Sequence, residues 1–148
     1  MKALGRHIML DFFNCDPNLI NDVTFMMNLT KKAGEASGAR ILESIFHAYS
    51  PYGLSIALFL AESHIFVHSW PEYGFVAADI FTCGQNSKPI LGAHYLIGTL
   101  KHGRVKITRH YRGCSKRSLP LLPVTNIREE RSQSISVLPK LRKHGRKA

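Results

Sequence analysis

The chain has 148 residues, enough for one domain with a real core, because chains of this size bury about 70% of their unfolded surface. Its formal net charge is +10, yet residues 1–113 carry only +3 while residues 114–148 carry +7. The basicity belongs to the tail, so it does not make the body a nucleic-acid-binding surface, and no apolar run approaches the roughly 20 residues that span a bilayer.

Asp11 interrupts the only early apolar stretch, so no signal peptide is expected. Three cysteines (Cys15, Cys83, Cys114) without a secretory signal then point to reduced thiols in a cytoplasmic compartment. They form no C-x-x-C pair, and no structural zinc site is expected.

In chain order, Gly5 to Phe13 reads as a first strand, although its alternation is imperfect. Asp16 suits an N-cap and Pro17 the first helical position after it. Leu19, Ile20, Val23, Met26, Met27 and Leu29 then recur near helical spacing, which predicts one helix through Ala36, closed by Gly38. The methionines on it read as core. Arg40 to Tyr49 is a second strand, and Pro51-Tyr52-Gly53 marks a turn. Leu54 to Glu62 is almost continuously apolar, as a central strand covered on at least one face would be. Strands follow over His64–Trp70, closed by Pro71, and Phe75–Thr82. Helical spacing returns from Lys88 to Leu100, and Val105 to Tyr111 alternates apolar and basic residues as a half-exposed last strand.

Strand, helix, four strands, helix, strand, joined by short turns, predicts an α+β two-layer sandwich with a mostly antiparallel sheet. Two helices cover one face of such a sheet. The other face is either solvated or covered by a second protomer. Beyond Gly113 the composition shifts to Ser, Pro and cations with few large apolar residues. Residues 1–113 therefore read as the domain, and 114–148 as a mostly disordered basic tail suited to weak, salt-sensitive contact with polyanions.

The stretch from Ala61 to Gly74 concentrates the chemistry. With strand periodicity, Ile65 and Val67 face a core, while Glu62, His64, Phe66, His68, Trp70 and Glu72 share the opposite side. Two imidazoles, two carboxylates and two aromatics make a poor core and a plausible site. An exposed amphipathic strand has the same pattern, and pattern alone does not separate the two.

The residues themselves add a resemblance. Glu62-Ser63-His64, then His68 and Trp70-Pro71-Glu72-Tyr73-Gly74, then Phe81-Thr82-Cys83-Gly84, resemble the prokaryotic S-adenosylmethionine decarboxylase proenzyme family. Leu4-Gly5-Arg6-His7 and the segment from Phe46-His47 to Pro51-Tyr52-Gly53 fit the same family, in matching order from about Lys2 to Gly113. The resemblance implies a pyruvoyl-dependent lyase acting on S-adenosylmethionine for spermidine synthesis, built as a homodimer of processed protomers. The same chemistry on arginine or ornithine is the alternative.

Losing carbon dioxide leaves a carbanion, which needs an electron sink. Pyridoxal phosphate on a lysine is one solution, but none of Lys2, Lys31, Lys32, Lys88, Lys101 or Lys106 lies in a phosphate-cradling context. The resemblance implies instead a covalent pyruvoyl group derived from Ser63, with self-cleavage of the Glu62-Ser63 bond. It implies that His68 and Ser55 assist processing, His68 as a base and Ser55 as a donor to the oxyanion. It also makes Cys83 the acid that returns a proton to the substrate carbon after carbon dioxide leaves. Phe46, Trp70 and Glu72 suit the adenine and ribose of the substrate: aromatic faces stack on a base or a sulfonium, and a carboxylate accepts from sugar hydroxyls. Two other readings explain less. A binding module carrying a basic tail accounts for the charge but not for the Ser63 block, and a His64/His68/Cys83 metal site offers few ligands at ordinary spacing.

Overall fold

The structure is a computed structural model that describes residues 3–114. Six strands run β1 Gly5–Phe13, β2 Ile41–Ala48, β3 Leu54–Leu60, β4 Ser63–Trp70, β5 Phe75–Cys83 and β6 Arg104–Arg112. They form one sheet in the order β2-β3-β4-β5-β1-β6, with every neighbouring pair antiparallel. The helices are α1 Pro17–Ile20, α2 Val23–Ala36 and α3 Pro89–Thr99, with a 3-10 turn at Pro71–Tyr73. This is the antiparallel α+β sandwich that the element order predicts. The basic tail lies outside the described residues apart from Cys114.

One expectation is corrected. The single helix from Pro17 to Ala36 is two helices, broken at Asn21-Asp22. Asp16 caps the first by accepting from the Asn18 amide, and Asp22 caps the second by accepting from the Phe25 amide at 2.7 Å. A second N-cap satisfies a fresh set of free amide donors, so the chain restarts there although its apolar spacing continues across the break.

The four inner strands β3, β4, β5 and β1 alternate, while the edge strands β2 and β6 are largely exposed. Leu10 and Phe12 of β1, Ile56 and Leu58 of β3, Ile65 of β4, and Val76 and Ile80 of β5 are buried on one face. Met26, Leu29 and Ala33 of α2 and Leu96 of α3 complete that core. Burying each such Leu, Ile, Val, Met or Phe side chain contributes about 1.5–3 kcal/mol, so this face carries most of the fold's stability. α3 packs closely on α2 because Gly92 has no side chain: a Cβ there would stand 2.6 Å from the Ala33 carbonyl oxygen.

Among the described residues, no helix lies over the opposite face. That face presents Ile45 and His47 of β2, Phe59 of β3, and His64, Phe66, His68 and Trp70 of β4. Phe46 instead pairs with buried Ile56 and so projects from the helix-covered side at the sheet edge. Ile45 is 50% exposed and Phe66 41%, a large apolar area to leave in water.

Candidate active site

Two groups of side chains stand at opposite ends of β4. The first surrounds the turn from β3 into β4. Ser63 has φ +143°, a region that costs a residue with a side chain about 1–3 kcal/mol. Its Oγ lies 3.2 Å from His64 Nδ1. The Glu62 carbonyl oxygen, which belongs to the Glu62-Ser63 peptide, accepts from the Cys83 amide at 2.9 Å. Gly84 has φ +76°, and a Cβ there would sit 2.6 Å from Glu62 Oε2, so glycine is what lets the Glu62 carboxylate close over this loop. Arg6 Nη2 donates to the Gly84 carbonyl at 2.7 Å and braces it. By the alternation of β5, Cys83 shares the open face with Ala77, Asp79 and Phe81.

The second group lies at the far end. Ser55 Oγ and His68 Nδ1 are hydrogen-bonded at 2.7 Å, and Tyr49 Oη lies 3.1 Å from Ser55 Oγ. With the proton on Nδ1 donated to Ser55, Nε2 of His68 keeps a lone pair free to accept a proton. Burial holds the His68 pKa below its ordinary 6.5, partly opposed by the charge of Glu72, so the ring is neutral at neutral pH. The Trp70 ring lies 4.0 Å from the His68 ring, centre to centre. A cavity of about 510 Å³ opens here, lined among others by Phe46, Ser55, Phe66, His68 and Trp70. That volume is in the range of small-molecule sites. Neither Ser63 nor Cys83 lines it.

Between the two groups runs a strip of rings and charges. His64 stacks on Phe66 at 4.4 Å, and His7 Nε2 pairs with Asp79 Oδ1 at 3.1 Å. The His64 pKa is pushed down, first by burial and then by His7, with Asp79 opposing.

The structure thus brings Ser55, His68 and Trp70 together, with Phe46 bordering their cavity but projecting by register to the other face of the sheet. It also brings Glu62, Ser63 and the Cys83 backbone together, but not the two sets. His68 is five residues along β4 from Ser63, about 16 Å of extended chain. Cys83 is six residues along β5 from Ala77, the register partner of His68. Glu72 lies on the 3-10 turn rather than on the strand itself. Ser55, expected as a donor to the Glu62 oxyanion, is engaged with His68 inside one protomer.

Tyr49 and Arg6 are additions that the sequence reading did not single out. A signal for Tyr49 existed: the Pro51-Tyr52-Gly53 turn sets His47 opposite Ser55, and Tyr49 lies two residues further on the same strand edge. Arg6 stood in the Leu4-Gly5-Arg6-His7 segment of the resemblance, but its bracing role had no local signal, because its partner is a backbone carbonyl 78 residues away.

Comparison with known proteins gives the family and the fold. The family model for S-adenosylmethionine decarboxylase matches residues 6–113. A Thermotoga petrophila protein named S-adenosylmethionine decarboxylase proenzyme is 42% identical over 113 residues, 76% of this chain and 87% of that protein. A Thermosipho africanus protein of the same name has the same identity and coverage. The crystal structure of the adenosylmethionine decarboxylase from Aquifex aeolicus superposes with a TM-score of 0.73 at 31% identity, covering 81% of this chain and 99% of the other. The chain belongs to the S-adenosylmethionine decarboxylase family.

Proposed function

We propose that this chain is a proenzyme that cuts itself between Glu62 and Ser63 and then decarboxylates S-adenosylmethionine with the pyruvoyl group so formed. The observation that carries the reading is the state of the Glu62-Ser63 bond. Its serine is held at φ +143°, and its carbonyl oxygen already accepts from the Cys83 amide at 2.9 Å. Strain raises the intact bond, and a backbone donor is in place for the charge that develops on the carbonyl.

The residues act in order. Ser63 Oγ leaves His64 and attacks the Glu62 carbonyl carbon through a five-membered ring. Breaking the C–N bond of that ring moves the acyl group from nitrogen to oxygen and frees the Ser63 amine. A base then removes the Ser63 α-proton. Its electron pair forms the Cα=Cβ double bond, and the Cβ–Oγ electrons leave on oxygen, which becomes part of the Glu62 carboxylate. The dehydroalanine tautomerises and takes up water, releasing ammonia and leaving a pyruvoyl terminus. When present, that group supplies the electron sink required by the carbon that loses carbon dioxide.

His68 is the base, neutral and oriented by Ser55, with Tyr49 holding Ser55 in turn. It lies too far along β4 to serve Ser63 of its own protomer, so we assign the working unit as a homodimer stacked through its open faces. A two-fold axis lying between the sheets and across the strands reverses β4 in the second copy. His68 of one protomer then comes over Ser63 of the other, with sheets about 10 Å apart. The same stacking removes Ile45 and Phe66 from water. Cys83, on the open face beside the new terminus, returns the proton to the substrate carbon. Phe46 and Trp70 line the cavity, and with Glu72 on the adjoining 3-10 turn they are assigned to adenine and ribose.

Denaturing mass spectrometry tests this directly. The purified chain should give fragments of 62 and 86 of its 148 residues, the larger without a free N-terminal amine, and Ser63→Ala should stay whole. Wild-type protein that stays entirely intact yet decarboxylates its substrate would overturn the reading.

A further inference from the structure

Five polar residues are buried in the described core: Thr30, Ser37, Ser69, Thr82 and Ser87. Four of their hydroxyls have partners. Thr30 donates to the Met26 carbonyl, Ser37 to the Ala33 carbonyl and Ser87 to the Cys83 carbonyl, while Ser69 accepts from the Leu54 amide. Thr82 is the exception among the described residues: its side chain is 1% exposed and its Oγ1 meets nothing. A buried hydroxyl with no partner costs free energy, and valine would fill the same volume without that cost. Such an orphan is retained against stability, so its surroundings matter.

Those surroundings are the cleavage site. In the register of β4 on β5, Thr82 is the residue opposite Ser63. Opposed residues of an antiparallel pair place their Cβ atoms about 4.5–5.5 Å apart, within reach of a hydroxyl–hydroxyl hydrogen bond after a small rotation. In the intact chain Ser63 Oγ is turned to His64 Nδ1 instead. It must leave that contact to attack the Glu62 carbonyl carbon.

We infer that Thr82 is a further catalytic group of self-cleavage: its hydroxyl donates to Ser63 Oγ once that oxygen has swung from His64 onto the Glu62 carbonyl. This rests on the self-cleavage reading above and adds a second donor to it. The Cys83 amide serves the carbonyl oxygen, and Thr82 serves the bridging oxygen. The need for the bridging donor is greatest at elimination. There the Cβ–Oγ bond breaks, its electron pair stays on Oγ, and the new Glu62 carboxylate carries the charge. A donor at that oxygen is unpaired in the intact chain and paired as the bond breaks. It therefore stabilises the transition state and not the ground state, the condition under which an interaction accelerates a step.

The test compares Thr82→Val and Thr82→Ser with wild type in the full chain, following appearance of the 62- and 86-residue fragments with time together with the thermal midpoint of each uncleaved protein. Thr82→Val should cleave about tenfold more slowly or worse, at an unchanged or raised midpoint, since an isosteric swap removes only the orphan hydroxyl. Thr82→Ser, which keeps the hydroxyl, should cleave near the wild-type rate. If Thr82→Val does not fold, Thr82→Ala against Thr82→Ser decides, because both lose the methyl and only one keeps the hydroxyl. Cleavage of the hydroxyl-free variant within twofold of wild type would overturn the inference, as would slow cleavage that serine does not rescue. Failure of wild type itself to cleave would overturn the underlying reading, which is a separate result.

Discussion

The strain at Ser63 can be measured by comparing two variants that both lack the attacking oxygen. Ser63→Ala keeps a Cβ at φ +143°, whereas Ser63→Gly removes the clash that makes this region unfavourable. Relief of the strain is worth about 1–3 kcal/mol. Glycine gives back about 0.5–1 kcal/mol through the greater freedom of its unfolded chain. The glycine variant should therefore be the more stable by about 1 kcal/mol, or roughly 4 °C in thermal midpoint for a domain of this size. Both variants lose the contact to His64 equally, so it cancels. Intact mass establishes that both are uncut, and thermal and urea denaturation at one shared protein concentration gives the difference, which keeps any contribution of association constant. An alanine variant as stable as the glycine variant would refute the claim that backbone strain is stored at this bond.

Four further outcomes are expected. The processing rate should hold above pH ~6.5 and fall as acid carries His68 through its lowered pKa, because protonated imidazole cannot act as a base. Burial makes the charged form the costly one, so the His68 contribution to folding is likewise present above ~6.5 and lost on acidification. Glu72→Gln removes the charge that favours the imidazolium, so the acid fall should move to lower pH; movement to higher pH would exclude His68 as the titrating group. Cys83→Ala keeps the backbone amide on the Glu62 carbonyl and should still yield both fragments, while losing most of its turnover in a carbon dioxide release assay. Unchanged turnover would remove Cys83 from the proton-return role.

Much of the fold is written in short-range patterns. The strand ends, Gly5 and Phe13 for β1 for example, follow from alternation and from Pro and Gly punctuation. The helix break at Asn21-Asp22 was masked because Leu19, Ile20 and Val23 keep an apolar stripe across it, and only the capping preference of Asp22 betrays it. The place of β1 between β5 and β6 is set by pairing across some 70–100 residues, for which no local signal exists. The same holds for the site. Residue types at 62–72 mark the chemistry, and the five-residue step from Ser63 to His68 implies their separation on a strand. The backbone angle of Ser63, the Cys83 amide on Glu62 and the orphaned Thr82 hydroxyl depend on how β4 meets β5, which composition and periodicity do not encode.

The strand order β2-β3-β4-β5-β1-β6 bears on what a cut at residue 62 leaves behind. The first piece owns β1, β2 and β3, and the second owns β4, β5 and β6. They are interlaced, since β3 is zipped to β4 and β1 is clasped between β5 and β6. Pulling the pieces apart means opening three ladders at once, so the cleaved protein holds together without a covalent link. Melting it has another consequence. The uncut chain finds its fold as one molecule, at a rate independent of dilution, whereas two severed pieces must first find each other. Recovery after denaturation becomes a second-order encounter between fragments with exposed strand edges, in competition with aggregation. A chain cut at residue 62 would therefore reassemble only through that encounter, whereas the uncut chain refolds as one molecule.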